Sequence, residues 1–411
     1  MIAVPPPGPG LDEYVPLLAE DVEEMRLMAR TLDQREVLMV NSTAVGGGVA
    51  EILNRVIPLL EQLGMRPRWE ILEGNPQFFE VTKAFHNALH GAAFHAAGDA
   101  FDIFRQVTEL NRQKLNLDSE FAVMHDPQPA GLIDGRKDKL NHWIWRCHID
   151  LSRPNHQVWE FLEPWVNRYD AAIFSSPAFA RQLPVPQYLF YPAIDPLSEK
   201  NRPVEPEFIQ EVLERFGIDP RRPIIVQVSR FDRLKDPAGV VRAYRMARCY
   251  SDCQLVLAGG GASDDPEGRR VLEETREEAG ADPDIHILEL SPTSHLEINA
   301  LQRAATIVLQ KSLREGFGLT VTEALWKKKP VIASAVGGIP SQVIHKQTGM
   351  LAHSIEGTAY QIRYLLSHPQ IAERLGENGH QHVRENFLIT GNIKRYLTLF
   401  LYLLSHPASR S

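Results

Sequence analysis

The sequence predicts an α/β protein built from two doubly wound, Rossmann-like domains. Apolar runs of strand length are each followed by a helical pattern, which is the signature of parallel βαβ units. The series stops at a stretch rich in proline and charge, residues 196–208, and then begins again. The length of 411 residues exceeds one typical core and suits two domains of roughly 150 to 200 residues each.

In chain order, "MIAVPPPGPGLDEY" is a proline-rich lead. "VPLLAEDVEEMRLMARTL" follows as an amphipathic helix whose apolar side can cover the first domain or a second subunit, which leaves a homodimer open. Strands are expected at "EVLMVNS" (36–42), before the helix "VAEILNRVIPLLEQLG", then at "FAVMHD" (121–126), "WIWRCHID" (143–150), "AAIFSS" (171–176) and "QYLFYPAID" (187–195). "PLSEKNRPVEPEF" (196–208) has the composition of an exposed linker. The pattern restarts at "PIIVQVSR" (223–230), "QLVLAGGG" (254–261), "IHILEL" (285–290), "ATIVLQ" (305–310) and "PVIASAV" (330–336). Domains of 1–198 and 199–385 are the economical division.

Hydrophobic and charged contents of 44% and 23% are those of an ordinary globular chain, and a net charge of -8 argues against nucleic acid or an anionic membrane as partner. The 3 cysteines, Cys147, Cys249 and Cys253, offer no disulfide framework. The amino-terminal stretch lacks a basic and apolar leader, and no apolar run reaches the roughly 18 residues of a membrane helix. A reduced, cytoplasmic protein is expected.

Ligands of open α/β sheets bind beyond the carboxyl ends of the strands, so the residues following each run are the candidates. "TAVGGGVAE" places Gly46, Gly47 and Gly48 at a helix start, where backbone can approach an anion; a tight turn without ligand is the alternative. "SRFDRLKDP" puts Arg230 and Lys235 in one loop, a pair able to hold a diphosphate or to remain as solvated surface charge. Strand alternation in "NHWIWRCHID" sets Trp143, Trp145 and Cys147 on one face and Arg146, His148 and Asp150 on the other, so Cys147 and His148 cannot share a metal. His148, and likewise His125 and Asp126 at the tip of "FAVMHDPQP", are either buried, satisfied groups or contacts to a polar ligand.

His86 and His90 stand one helical turn apart, but position 87 is Asn, so the zinc motif H-E-x-x-H is incomplete and a packed helix is favoured. "DPD" (282–284) reads as a turn. Glu315 and Glu323, eight residues apart in "KSLREGFGLTVTEALWKKKP", are weak evidence alone, since about six or seven such pairs arise by chance in a chain this acidic.

Their order with the other motifs is informative. The glycine loop at 46–48, "SRFDRLKDP", "LAGGG", "EGFGLTVTEAL" and "VIASAVGGIPSQVI" resemble, in sequence order, the retaining glycosyltransferases of the GT-B fold, family 4, built around an E-x7-E motif. "NSTAVGGGVAEIL", "HDPQPAGLI" and "WRCHIDLS" resemble its branch of trehalose glycosyltransferring synthases and retaining trehalose phosphorylases. The resemblance covers nearly the whole chain. It implies two Rossmann-like domains facing a cleft, with a last helix, about 386–411, returning to the first domain and 196–208 as one hinge strand.

It also implies roles. Glu315 would meet the hydroxyls of a donor sugar and Glu323 the ribose of its nucleotide, with Gly316, Phe317, Gly318, Leu319 and Thr320 turning between them toward the donor. Arg230 and Lys235 would face the diphosphate and His148 the donor sugar near its anomeric carbon. Asp126 would face the sugar or acceptor, and Gly337, Gly338 and Pro340 match a downstream loop. The expected reaction makes α,α-trehalose from a nucleoside-diphosphate glucose and glucose, with retention. A trehalose phosphorylase and a catalytically silent sugar-nucleotide sensor are the alternatives. No cofactor or metal site is required, and stimulation by Mg²⁺ is left open.

Overall fold

The computed structural model describes residues 8–44, 48–95, 98–138, 140–260 and 266–406. The chain forms two compact units, one running to Ala193 and taking up the last helix from Ile389, the other spanning Ile194–Leu388. Both are sheets of parallel strands flanked by helices.

The first unit holds β1 (Glu36–Asn41), β2 (Arg66–Ile71), β3 (Phe121–His125), β4 (His142–Cys147), β5 (Ala171–Phe174) and β6 (Gln187–Leu189), ordered β2-β1-β3-β4-β5-β6. No apolar run signals β2. Pro67 and the charges of Arg66, Arg68 and Glu70 disguise it, and an edge position tolerates all of them. In β4 the alternation is realised. Trp143, Trp145 and Cys147 enter a core with Phe78, Phe85, Phe104 and Trp159 of the covering helices. Arg146 is buried on the opposite face, where it donates to the hydroxyl of Tyr396 and lies over the Phe190 and Tyr396 rings at 5.8 and 5.2 Å.

Tyr396 belongs to the helix Ile389–Ser405, against which the amino-terminal helix Val15–Ala29 packs. Asp21 accepts from Thr390 Oγ1 at 2.5 Å and from Lys394 Nζ at 2.6 Å, and Leu18, Val22 and Met25 are buried there. That apolar side therefore covers its own unit.

The second unit holds β7 (Ile224–Val228), β8 (Gln254–Gly259), β9 (Ile285–Glu289), β10 (Ile307–Gln310), β11 (Val331–Ser334) and β12 (Met350–Ala352), ordered β12-β11-β10-β7-β8-β9. β12 is an edge strand of 3 residues, too short to leave a periodic signal. The order reverses between β1 and β3 in one sheet and between β10 and β7 in the other, the switch points beyond which such sheets bind ligands.

The stretch 196–208 corrects its composition. It is not a free linker, because Asn201 is buried and the segment is fastened within the second unit. Asn299 Nδ2 donates to the carbonyls of Glu199 and Arg202 at 2.8 Å each, and Arg303 reaches those of Asn201 and Arg202. Prolines and charges restrict a chain without freeing it when backbone carbonyls find donors.

Candidate active site

At the β10/β7 switch point, three loops of the second unit interlock. Lys235 closes the turn Arg233–Lys235 after β7, and its ammonium ion-pairs with the largely buried Glu315. Glu315 Oε2 also accepts from Ser312 Oγ at 3.2 Å and from Gln310 Nε2 at 3.3 Å. Gln227 of β7 bridges two loops, donating to Lys235 O and accepting from the Lys311 amide, each at 3.0 Å. Arg230 differs: its side chain is 71% exposed and, among the described residues, pairs with Asp232 at 3.2 Å, a surface pair that holds it weakly.

Behind Glu315, Gly316 and Phe317 lead to Gly318, which adopts φ +84° and caps the helix Leu319–Trp326. A second turn presses on this one. At Gly337 a Cβ would fall 1.5 Å from the Glu315 carbonyl oxygen, so only glycine fits. The Gly338 amide donates to Gly316 O at 3.0 Å, and Gln342, in the short helix Ile339–Gln342 that contains Pro340, donates to Phe317 O. Leu319 and Thr320 open the longer helix and Glu323 is buried within it.

Lys327, one turn after Glu323, escaped sequence reasoning because "WKKKP" reads as a solvated run. It is buried, with Nζ donating to Gln302 Oε1 at 2.8 Å, Glu323 O at 3.1 Å and Asn201 Oδ1 at 3.2 Å. Burial draws its pKa down to about 7, against the pull of Glu323.

In the first unit, β3 and β4 end side by side. Asp126 adopts φ +68°, and its Oδ1 accepts the His148 amide at 2.7 Å while its own amide donates to Arg146 O at 2.8 Å. Burial raises the Asp126 pKa to about 7, partly opposed by the His148 bond and the Arg146 charge. His148 Nε2 lies 3.1 Å from His125 Nδ1 with the rings nearly parallel. Burial, then the Arg146 charge, holds both imidazoles well below their usual range, so they are neutral near pH 7.

Gly48 opens the helix Gly48–Gln62, whereas Gly46 and Gly47 lie outside the described residues. Thus Asp126 and His148 come together in one unit, and Lys235, Glu315 and the 316–320 turn in the other. Elsewhere, Asp282 and Asp284 of the "DPD" turn pair with Arg248, and the His86 and His90 rings lie 4.7 Å apart, tilted by 59°. No group of three or more His, Cys, Asp or Glu side chains is arranged to hold a metal among the described residues.

Comparison with known proteins gives the family. Residues 39–181 match the family "Trehalose synthase, N-terminal domain", and residues 208–382 match "Glycosyl transferases group 1". A trehalose synthase of Pyrococcus horikoshii is 43% identical over 400 residues, covering 95% of each chain. This chain belongs to the trehalose synthase family. It is a glycosyltransferase. A trehalose phosphorylase of Pleurotus pulmonarius is more distant, 28% identical over 95% of this chain but 59% of its own length. In structure, the sucrose-phosphate synthase of Thermosynechococcus elongatus superposes with a TM-score of 0.70 at 19% identity, over 90% of this chain and 99% of its own, so the family member has the GT-B fold.

Proposed function

We propose that this glycosyltransferase moves glucose from a nucleoside-diphosphate glucose to the anomeric hydroxyl of free glucose, with retention, giving α,α-trehalose. The observation that carries the reading is the intact Lys235–Glu315 constellation at the β10/β7 switch point, in a chain so similar to a trehalose synthase along its length. Glu315 accepts donor-sugar hydroxyls, and Glu323 serves the ribose. Lys235 and the exposed Arg230 offer cationic charge to a diphosphate leaving group, where negative charge grows in the transition state. The 316–320 turn brings helix-start amides to the same place. His148, neutral, meets the donor sugar, and Asp126 faces the sugar or the acceptor.

In this mechanism the acceptor attacks from the side of the departing phosphate, whose oxygen takes the proton, and no enzyme carboxylate is glycosylated. A donor carrying fluorine at carbon 2 should leave no covalent adduct; an ester on Asp126 would overturn that step.

Product analysis by NMR, with ADP-, UDP- and GDP-glucose each offered free glucose, tests the reaction directly: α,α-trehalose should form. Supplying trehalose with phosphate, or with a nucleoside diphosphate, separates the phosphorylase. Glucose 1-phosphate released without nucleotide would replace the proposal with that activity. Glu315→Gln and Lys235→Ala should each lower kcat by about 100-fold or more. Turnover equal to the parent would remove both residues from the site.

A further inference from the structure

We infer that Gln310, the last residue of β10, is a positioning residue that orients Glu315, and that it is itself set by the hydroxyl of Thr320, whose backbone carbonyl is held in turn by Gln302 and Lys327. The inference rests on the reading of Glu315 as the donor-sugar carboxylate. Gln310 is buried, and its amide Nε2 donates to Glu315 Oε2 at 3.3 Å and to Ser312 Oγ at 3.0 Å. Its Oε1 accepts from Thr320 Oγ1 at 2.9 Å. Thr320 O accepts from Gln302 Nε2 at 3.3 Å, and Gln302 Oε1 accepts from Lys327 Nζ at 2.8 Å.

The bonds form two segments that meet at Thr320, and each has one forced direction. The Thr320 carbonyl can only accept, so Gln302 must present its nitrogen there and its oxygen to Lys327 Nζ, which donates whether or not it is protonated. An ionised Glu315 can only accept, so Gln310 must present its nitrogen there and its oxygen to Thr320, whose hydroxyl therefore donates. Neither amide can flip without losing its bonds on both sides.

The consequence falls on the carboxylate. Oε2 of Glu315 receives Lys235, Ser312 and Gln310, three donors from three different positions, and is thereby committed to the protein. Oε1 is the oxygen this arrangement leaves for a ligand hydroxyl. Charged groups near the pair are Lys235, on the loop after β7, and Lys311, which is neutralised by Asp236. Gln310 touches no substrate in this account; it acts through Glu315.

Three variants of the full chain test it, with transfer from the donor found active for the parent as readout. Gln310→Leu removes the amide and should lower kcat by about 10- to 100-fold, as loss of an outer partner commonly does, at all pH values. Gln310→Glu sets two carboxylates together, which raises the pKa of one. Protonated, the new acid can donate to Oε2 as the amide does, so the rate of this variant relative to the parent should recover toward acid pH and fall as pH rises, while that of Gln310→Leu relative to the parent stays level. Thr320→Val, which frees the amide to flip, should lose activity without changing the pH profile.

Parent-like kcat in Gln310→Leu, or superimposable pH profiles of the Leu and Glu variants, would overturn the proposal. Should Gln310→Leu not fold, the pH profile of Gln310→Glu decides alone. A parent that transfers no sugar from any nucleotide donor defeats the proposed function instead, and the two failures are thereby distinct.

Discussion

Two ionisable residues, the half-buried Asp126 and the buried Lys327, carry opposite pH signatures. Asp126 is raised from 3.8 to about 7 by burial, so between those values the folded protein holds a proton that the unfolded chain has released. Stability therefore falls as pH rises from about 4 to 7. Asp126→Asn abolishes this slope, and Asn tolerates φ +68° and can still accept from the His148 amide. Its melting temperature should exceed the parent's above pH 7 and converge with it near pH 4; a gap independent of pH would refute the assignment. Lys327 runs the other way. Lowered from 10.5 to about 7, it makes the unfolded state the better proton binder between those values. Parent stability should climb with pH from about 7 to 10, relative to Lys327→Met, in denaturant titrations at fixed temperature.

Elements place these residues through the ends of strands. The two turns that press together, 315–318 and 337–338, are held at backbone level, so their weakest tolerance is for volume. Gly337→Ala demands both φ +55° from a residue with a Cβ and relief of an overlap with Glu315 O. It should cost about 3 kcal/mol or more and displace Glu315, lowering kcat beyond what the stability loss explains; a parent-like unfolding midpoint and rate would show that the two turns are not coupled. Legibility follows the same physics. Strands buried on both faces, β1, β3, β4, β7 and β8, announce themselves as apolar runs; of the edge strands, β6 and β9 do as well, whereas β2 is hidden by its charges and proline and β12 by its length of 3 residues. Among the candidate site residues, Asp126 and His148 directly follow strand ends and Lys235 lies in the loop after β7, positions that draw attention to them in the sequence. Gln310, Gln302 and Lys327 are not legible in this way, because a polar side chain destined for burial is chemically identical to one destined for solvent, and only its partners in space distinguish them.

At the scale of the whole molecule the chain is not two consecutive beads. The first unit depends on the last helix of the sequence: Ile393, Tyr396, Leu397, Leu399, Phe400 and Leu403 are buried, Phe400 stacks on Phe121 at 4.4 Å, and Tyr396 meets the buried Arg146. Losing such side chains costs roughly 2 to 5 kcal/mol each, so the loss of all six is as large as, or larger than, the roughly 5 to 15 kcal/mol that hold a domain folded. Residues 194–388, by contrast, contain their own sheet, core and the Lys235–Glu315 constellation. Expressed alone, 194–388 should unfold in one cooperative transition, whereas 1–193 should lack one until 389–406 is supplied through a flexible linker. Far-ultraviolet circular dichroism against denaturant reads both outcomes. A cooperative 1–193 fragment would mean that the terminal helix merely decorates its unit, and that the guanidinium of Arg146 is accommodated without the hydroxyl it now reaches.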